Sequence, residues 1–303
     1  MRSPRSLRAA RDAGSTRAWY VLALAVIVGA CAEPTSPPLA PGAQPHDPVV
    51  PASSVGELTG TVGLASISAG IEYTWSEGQP PTYLGENRPP VIGNQRVSSK
   101  RVCYLTRIKG KFPNWSAELA ITLKGTSWYL QGVSQNKGVE GRARCAIVAD
   151  YSEEYYWDDA LPITSIPHPP SNWACFLTGI GGNFTDASTA VWVSTNGGNG
   201  TWRLGGIVND GTIQQVWARC LKPLDGTANF VAGGGWGPGY PPQTMAPTSG
   251  HICVLYNLVG YLDDPSNYVA VVKGGTHWQL TGALPSGGNA FSTPLWGYSK
   301  CYS

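Results

Sequence analysis

The sequence predicts an all-β domain built from three pseudo-symmetric repeats. Two motifs each occur three times along the chain, C-x-L-x-x-[IL]-x-G and W-x-L-x-G. Charged residues make up 13% of the chain, whereas Gly, Pro, Trp and Tyr are abundant. This composition favours turns and aromatic packing over long helices. Internal repetition of this kind indicates architecture more strongly than it indicates activity.

Three repeated features define each repeat. The first motif begins at Cys103, Cys175 and Cys253, and the second begins at Trp128, Trp202 and Trp278. A third feature, W-x4-P, precedes each first cysteine and begins at Trp75, Trp157 and Trp236. Because Gly and Pro punctuate the W-x4-P segments, we expect them to be loops or strand ends rather than sheet interior. The repeats then cover approximately 58–150, 151–228 and 229–303, within a domain of residues 55–303.

Alternating apolar residues and β-branched or aromatic content predict four strands in each repeat. The predicted strands are 103–108, 119–123, 128–133 and 142–148; then 175–180, 190–194, 202–208 and 213–220; then 253–258, 268–272, 278–283 and 295–301. No amphipathic helix is predicted after the first thirty residues.

The phase of the repeats predicts how the domain closes. Residues 64–75 have the same spacing to Trp75 as residues 146–157 have to Trp157, and the chain stops two residues after Cys301. We therefore expect the N-terminal strand to supply what the third repeat lacks, in a ring that removes exposed edges. This arrangement resembles β-prism and β-trefoil proteins in its three-fold symmetry. The repeat is longer than a usual β-trefoil repeat and lacks its Q-x-W, so the resemblance covers the symmetry class and no specific family.

The N-terminus is a targeting segment rather than part of the fold. Arginines are spread over the first seventeen residues, and an apolar stretch from Trp19 to Val28, too short for a membrane span, follows them. The sequence Val28-Gly29-Ala30-Cys31 resembles a bacterial lipobox. The resemblance implies cleavage after residue 30, lipidation of Cys31 and a membrane anchor. Because Ala32 follows, we expect an outer-membrane or cell-surface location; an ordinary secretory signal is the alternative.

The mature chain would begin with a tether and carry little net charge. Residues 31–54 are rich in proline, which favours extended backbone and a semi-rigid spacer. Residues 1–30 contain five arginines and one aspartate, so their removal changes the formal net charge from +2 to −2. A chain without basic character is a poor nucleic-acid ligand, and we expect no nucleic-acid partner.

The cysteines predict three disulfides. With Cys31 lipidated, six of the seven cysteines remain, two in each repeat. An oxidising compartment favours disulfides, and the repetition favours closing each repeat on itself. The predicted pairs are Cys103–Cys145, Cys175–Cys220 and Cys253–Cys301. A zinc site is poorly supported because no C-x-x-C occurs, and we expect neither a metal nor a cofactor.

The aromatic residues suggest binding rather than catalysis. Tryptophan and tyrosine stack on the apolar faces of sugars, and the Gly/Pro-rich W-x4-P segments could expose them on a rigid backbone. The candidate ligand-binding residues are Trp75, Trp157, Asp158, Trp236 and Tyr240. We expect a surface-anchored carbohydrate-binding module, with exposed tryptophans at these positions favouring that interpretation. Trp115 and Trp192 have no clear equivalents in the other repeats and are further candidates for exposure.

Two other functions remain open. If the W-x4-P tryptophans are buried, a structural or protein-interaction module of the cell envelope is favoured. An envelope hydrolase is a third possibility, because two separated carboxylates would suffice for glycoside hydrolysis. No catalytic residue is predicted, since neither the histidines nor the adjacent pairs of aspartates recur at equivalent positions and no G-x-S-x-G is present.

Overall fold

The computed structural model describes residues 70–87, 91–92, 95–96, 99–135, 137–195, 200–208, 214–284 and 294–303. The predicted signal peptide, the tether and Cys31 lie outside these ranges. Over the described ranges the chain forms strands and turns, so the all-β prediction is confirmed. No helix in this part of the chain is long and apolar enough to cross a membrane.

Each repeat contributes six principal strands, with a few short additional ones. The first repeat contains β1 (Glu72–Ser76), β2 (Thr82–Glu86), β3 (Val91–Ile92), β4 (Gln95–Arg96), β5 (Lys100–Lys109), β6 (Pro113–Lys124), β7 (Ser127–Val133) and β8 (Glu140–Val148). The second contains β9 (Asp150–Tyr151), β10 (Tyr155–Asp158), β11 (Thr164–Ile166), β12 (Ala174–Asn183), β13 (Ala190–Thr195), β14 (Trp202–Ile207) and β15 (Gln214–Lys222). The third contains β16 (Phe230–Trp236), β17 (Gln243–Pro247), β18 (Ile252–Gly260), β19 (Tyr268–Gly274), β20 (His277–Ala283) and β21 (Leu295–Tyr302). All twelve predicted strands are present.

Three six-stranded antiparallel sheet paths link the repeats. Sheet I has the strand order β1-β8-β5-β19-β20-β17, sheet II has β10-β15-β12-β6-β7-β2, and sheet III has β11-β14-β13-β18-β21-β16. Each sheet joins three strands of one repeat to three strands of another, and β9 adds to β15 of sheet II. Every pair of repeats therefore shares one sheet.

The W-x4-P segments lie at the sheet edges, as expected, but as short strands. β1 and β17 are the edges of sheet I, β10 and β2 those of sheet II, and β16 and β11 those of sheet III. Each W-x4-P turn therefore carries the chain from the edge of one sheet to the edge of the next.

Closure of the ring differs from the prediction in one respect. The N-terminal strand β1 pairs with β8 of its own repeat, and the last strand β21 pairs with β16 and β18. The first and third repeats are joined by β5 and β19, where Ile108 lies opposite Val269. The expectation of closure by the N-terminal strand is wrong because β16 already completes the third repeat.

A ring of backbone hydrogen bonds marks the pseudo-three-fold axis. Phe112 N donates to Leu262 O (2.6 Å), Leu262 N to Phe184 O (2.7 Å), and Phe184 N to Phe112 O (2.7 Å). Each of these residues follows by two positions the last glycine of C-x-L-x-x-[IL]-x-G. Those glycines, Gly110, Gly182 and Gly260, have φ of 119°, 106° and 97°. Such values are strained for other residues, which explains why the motif ends in glycine.

The three predicted disulfides are present. Each joins directly opposite residues of two neighbouring strands in one repeat, with Cα atoms 3.9 to 4.0 Å apart. The six cysteines are buried in the core. Cross-linking segments separated by 42 to 48 residues should stabilise each repeat by about 4 kcal/mol in the chain-entropy model.

Candidate functional site: the outer face of sheet III

The W-x4-P tryptophans are core residues. Trp75, Trp157 and Trp236 are 2%, 4% and 4% exposed. Each indole Nε1 donates to the backbone carbonyl four residues later, at 3.0 to 3.1 Å. The expectation that these three rings stack on a ligand is therefore wrong.

A glycine slot explains the burial of these tryptophans. The last glycine of each W-x-L-x-G lies against one of the three rings, and these glycines are Gly132, Gly206 and Gly282. A β-carbon at Gly206 would lie 2.6 Å from Trp157 Cζ3, so a larger residue would displace the ring. Two repeated motifs thus interlock in every repeat, and rigid Gly/Pro-rich segments hold the indoles inward.

The other two candidates, Asp158 and Tyr240, remain accessible. The half-buried Asp158 accepts hydrogen bonds from the Tyr156 hydroxyl (2.8 Å) and the Ala160 amide (3.1 Å). Tyr240 is 55% exposed, and its ring centroid lies 5.7 Å from that of Trp296. The structure therefore brings Tyr240 into contact with an aromatic residue of sheet III, whereas Asp158 lies on sheet II.

An aromatic surface covers the outer face of sheet III, beginning on β21. Along this strand, Trp296, Tyr298 and Lys300 are half-buried, while Gly297 and Ser299 between them are buried. Because side chains alternate across a strand, the three larger residues lie on the outer face. Tyr240, Tyr256 and Trp192 complete what we call the sheet III aromatic surface: Trp192, Tyr240, Tyr256, Trp296 and Tyr298.

Contacts and register connect these rings. The Tyr256 and Tyr298 centroids are 6.3 Å apart. Trp192 lies opposite Asn257 on β18, and Asn257 lies opposite Tyr298 on β21. Cross-strand neighbours on one face are in side-chain contact range, so the rings form one continuous surface.

Glycines on neighbouring strands seat several of these rings. A β-carbon at Gly235 would lie 2.9 Å from Tyr298 Cε1, and one at Gly205 would lie 3.2 Å from Trp192 Cη2. Gly237 is similarly placed beneath Trp296. The rings therefore pack directly on the backbone of β14 and β16 and remain partly exposed to solvent. Such backing limits side-chain freedom, which lowers the entropic cost of ordering a binding surface.

Polar groups lie within this surface. The Asn257 Oδ1 is buried and has no hydrogen-bond partner among the described residues. Lys300 Nζ lies 4.6 Å from the Tyr256 ring centroid and 5.3 Å from that of Trp202. Burial lowers the pKa of Lys300 and raises that of Tyr256. The surface thus combines apolar rings with an unpaired amide oxygen and a partly desolvated amine.

Sheet II carries a smaller aromatic cluster. The Tyr156 and Trp217 centroids are 5.5 Å apart, and Trp217 packs against Gly179. The Tyr156 hydroxyl donates to Asp158 and accepts from Gln215 Nε2 at 3.0 Å. Burial and the bond to Asp158 raise the pKa of Tyr156 to about 12. The polar groups of this cluster already hydrogen-bond to one another, so it has fewer groups free to contact a ligand than sheet III has.

The two further exposure candidates differ. Trp115, near the start of β6, is 69% exposed, as expected. Trp192 is half-buried because it packs against Gly205 and Ile163.

A shallow groove beside β1 is a weaker candidate. It has a volume of about 280 Å³ and is lined by Gly70, Ile71, Tyr73, Arg101, Cys145 and Ile147. The Arg101 guanidinium already donates to the Leu84 carbonyl at 3.5 Å. The groove therefore presents mainly apolar surface and few groups that could orient a ligand.

Catalytic and metal-binding arrangements are not evident in the described ranges. No group of three or more His, Cys, Asp or Glu side chains there could hold a metal ion. His168 stacks on Trp173 at 4.1 Å, and its Nε2 is 3.2 Å from the Tyr155 hydroxyl. Burial lowers the pKa of His168, which favours the neutral ring in this aromatic environment.

One repeated feature was missed in the sequence. The residue before each second cysteine is a cation, and each cation lies over the W-x-L-x-G tryptophan of a neighbouring repeat. The pairs are Arg144 with Trp278 (5.4 Å), Arg219 with Trp128 (5.2 Å) and Lys300 with Trp202 (5.3 Å). Aligning the repeats on the second cysteine would have found it. These cation–π contacts connect the repeats through the three sheets.

Comparison of the chain with protein-family models, curated proteins and solved structures found no match.

Proposed function

We propose that this protein is a surface-anchored carbohydrate-binding module whose ligand lies across the sheet III aromatic surface. One observation carries the proposal: partly exposed rings seated on glycine backbone form one surface across the strands of sheet III. Partly exposed rings can stack on the C–H faces of a sugar, and the hydroxyl of the exposed Tyr240 can donate or accept a hydrogen bond with a sugar hydroxyl. An open surface across several strands suits a polysaccharide chain better than a small enclosed ligand.

The expected position of the protein supports this function. The lipobox-like sequence at Cys31 and the proline-rich tether would hold the domain away from a bacterial membrane, where extracellular or envelope glycans are accessible. Lipidation is tested by incorporation of a labelled fatty acid into the full chain and into Cys31→Ser. We expect label in the former alone, and equal labelling of both would refute the anchor.

The binding test uses the full oxidised chain in detergent and calorimetric titration with neutral and acidic polysaccharides. We expect saturable binding to at least one polymer, weakened about tenfold in Trp296→Ala because a central stacking ring is lost. The matched control is Trp115→Ala, which removes an exposed tryptophan from another sheet and should bind like wild type. Equal effects of the two variants, or no binding across the panel, would contradict the proposal.

A second candidate function is a protein-interaction or structural module of the envelope. Burial of Trp75, Trp157 and Trp236 favours it, because the expected loop tryptophans contribute to packing instead. If no polysaccharide binds, but Trp296→Ala abolishes association with an envelope protein, this second function is correct and the same surface is a protein interface.

A further inference from the structure

In the first repeat a polar cluster surrounds the nearly buried Arg144. Glu72 on β1 lies directly opposite Arg144 on β8. Arg144 Nε lies 3.2 Å from Glu72 Oε1, and the Thr106 hydroxyl donates to the same oxygen at 3.2 Å. The carboxylate therefore compensates a cation that is itself nearly buried.

The second repeat has the same three residue types at equivalent positions. Arg219, before the second cysteine, lies 3.4 Å from Glu154, three residues before Trp157. Thr178 occupies the position of Thr106, three residues after the first cysteine. The same three residue types thus recur in two of the three repeats, and the Glu–Arg ion pair is the contact that both share.

The third repeat replaces all three residues. Gly233 lies opposite Lys300 in the register that places Glu72 opposite Arg144, and Tyr256 stands where the threonines stand. Among the described residues, no carboxylate forms an ion pair with Lys300, whose contacts are the rings of Tyr256 and Trp202. The third repeat therefore keeps the cation before its second cysteine but lacks the glutamate that pairs with that cation in the other two repeats.

The missing side chain leaves an accessible notch. Gly233 is exposed and its φ is not in the left-handed region, so its backbone conformation is one that other residues also adopt. A β-carbon at Gly233 would lie 3.1 Å from Ser299 O and 3.3 Å from the Phe230 ring, which is 60% exposed. The notch therefore has the Phe230 ring beside it, lies opposite Lys300 in the strand register and is open to solvent.

We propose that this notch binds a carboxylate of the ligand, in the place that Glu72 and Glu154 occupy in the other repeats. The inference rests on the proposed function, because Lys300 continues the line of Trp296 and Tyr298 on β21. The ligand is then an acidic polysaccharide containing uronic acids. An ammonium group supplies a compact positive charge and up to three hydrogen-bond donors to a carboxylate.

The experiment compares polygalacturonate with the same polymer after reduction of its carboxyl groups to alcohols. Both are titrated into the full oxidised chain in detergent, at physiological ionic strength. We expect wild type to bind the acidic polymer about tenfold more tightly than the reduced polymer, as one charge-assisted contact per site would give. Lys300→Gln should remove this preference, so that the acidic polymer binds no more tightly than the reduced one.

A second variant tests the site without removing the lysine. Gly233→Glu restores the carboxylate found in repeats one and two, so it should pair with Lys300 and remove the preference for the acidic polymer. The control is Lys273→Gln, which makes the same change in net charge at an exposed lysine beside Trp278 on sheet I. It should keep the preference. Near-ultraviolet circular dichroism identifies any variant that fails to fold.

The outcomes separate the two proposals. Equal binding of both polymers by wild type overturns the carboxylate site and leaves carbohydrate binding intact. A preference that survives in Lys300→Gln or Gly233→Glu places carboxylate recognition elsewhere and also overturns the site. No binding of either polymer, or of any other polysaccharide, overturns both proposals.

Discussion

Sheets I and III share one framework, but their outer faces differ in chemical character: that of sheet I is charged and that of sheet III is aromatic. Three positions show the difference most clearly: Glu140, Arg142 and Arg107 of sheet I correspond to Trp296, Tyr298 and Asn257 of sheet III. In sheet I these side chains form ion pairs, with Arg107 3.1 Å and Arg142 3.5 Å from Glu140. In sheet III they form an aromatic surface around an unpaired amide.

Features that recur in all three repeats are those that the fold requires, whereas the outer faces of the sheets are free to vary. Disulfides, interlocked Trp–Gly pairs and axial hydrogen bonds recur in all three repeats and stabilise the framework. The outer faces contribute little to that framework, so each sheet can differ there. Sheet I satisfies its own charges, whereas sheet III presents partly exposed aromatic rings and a lysine with no ion-pair partner among the described residues. Sheet III is therefore the face on which we propose that a ligand binds.

The largest predicted effect concerns the shared framework. Trp157→Ala should reduce the free energy of unfolding by about 4 kcal/mol, because it removes a buried indole and its hydrogen bond to Leu161 O. Trp75→Ala and Trp236→Ala should have similar effects. Urea denaturation measures the loss, and Trp115→Ala should change stability by less than about 0.5 kcal/mol. If alanine at one of the three W-x4-P tryptophans lowered the free energy of unfolding as little as Trp115→Ala does, that tryptophan would not belong to the framework.

A smaller loss of stability should distinguish sheet I from sheet III. Glu72→Gln should reduce the free energy of unfolding by about 2 kcal/mol, since it leaves Arg144 nearly buried without its carboxylate. Lys300→Met, at the equivalent cation of sheet III, should cost less than about 1 kcal/mol because no ion pair is lost. Urea midpoints measure both variants.

The control for this comparison is an exposed ion pair. Lys100 and Asp150 are 2.6 Å apart, and about half of each side chain is exposed. Lys100→Gln should therefore cost less than about 1 kcal/mol. A loss in Lys300→Met as large as that in Glu72→Gln would mean that sheet III contains an anionic partner for the lysine, which would contradict the comparison.

The sequence predicted the framework because framework residues repeat. Cysteines, W-x-L-x-G tryptophans and the strands between them occupy equivalent positions, and equivalent positions in a repeat protein share the same packing. The disulfide pairing followed from that repetition. Ring closure was predicted incorrectly, because the order of the strands within each sheet cannot be read from repeat spacing.

The same repetition concealed the candidate site. Trp75, Trp157 and Trp236 were predicted to bind a ligand because they recur at equivalent positions. Their recurrence instead reflects packing against the last glycine of W-x-L-x-G, a contact that depends on how the strands pair. Trp296 and Tyr298 have no aromatic equivalents in the first repeat, so a search for repeated residues passes over them. Their alternation with Gly297 and Ser299 was the available signal, since it predicts a strand with one aromatic face.

The smallest predicted effect is a pH dependence specific to sheet III. Burial lowers the pKa of Lys300 in the folded protein, whereas the unfolded chain retains an ordinary lysine pKa. Between those two pKa values the unfolded state binds more protons, so stability from this group rises as pH increases through the window. Wild type should therefore gain stability relative to Lys300→Met as the pH rises towards the ordinary lysine pKa of about 10.4. Urea midpoints of both proteins at several pH values measure this difference, in which the titration of all other groups cancels. A difference that falls with increasing pH would show that an anion raises the pKa of Lys300, and the notch beside Gly233 would then already be filled by the protein itself.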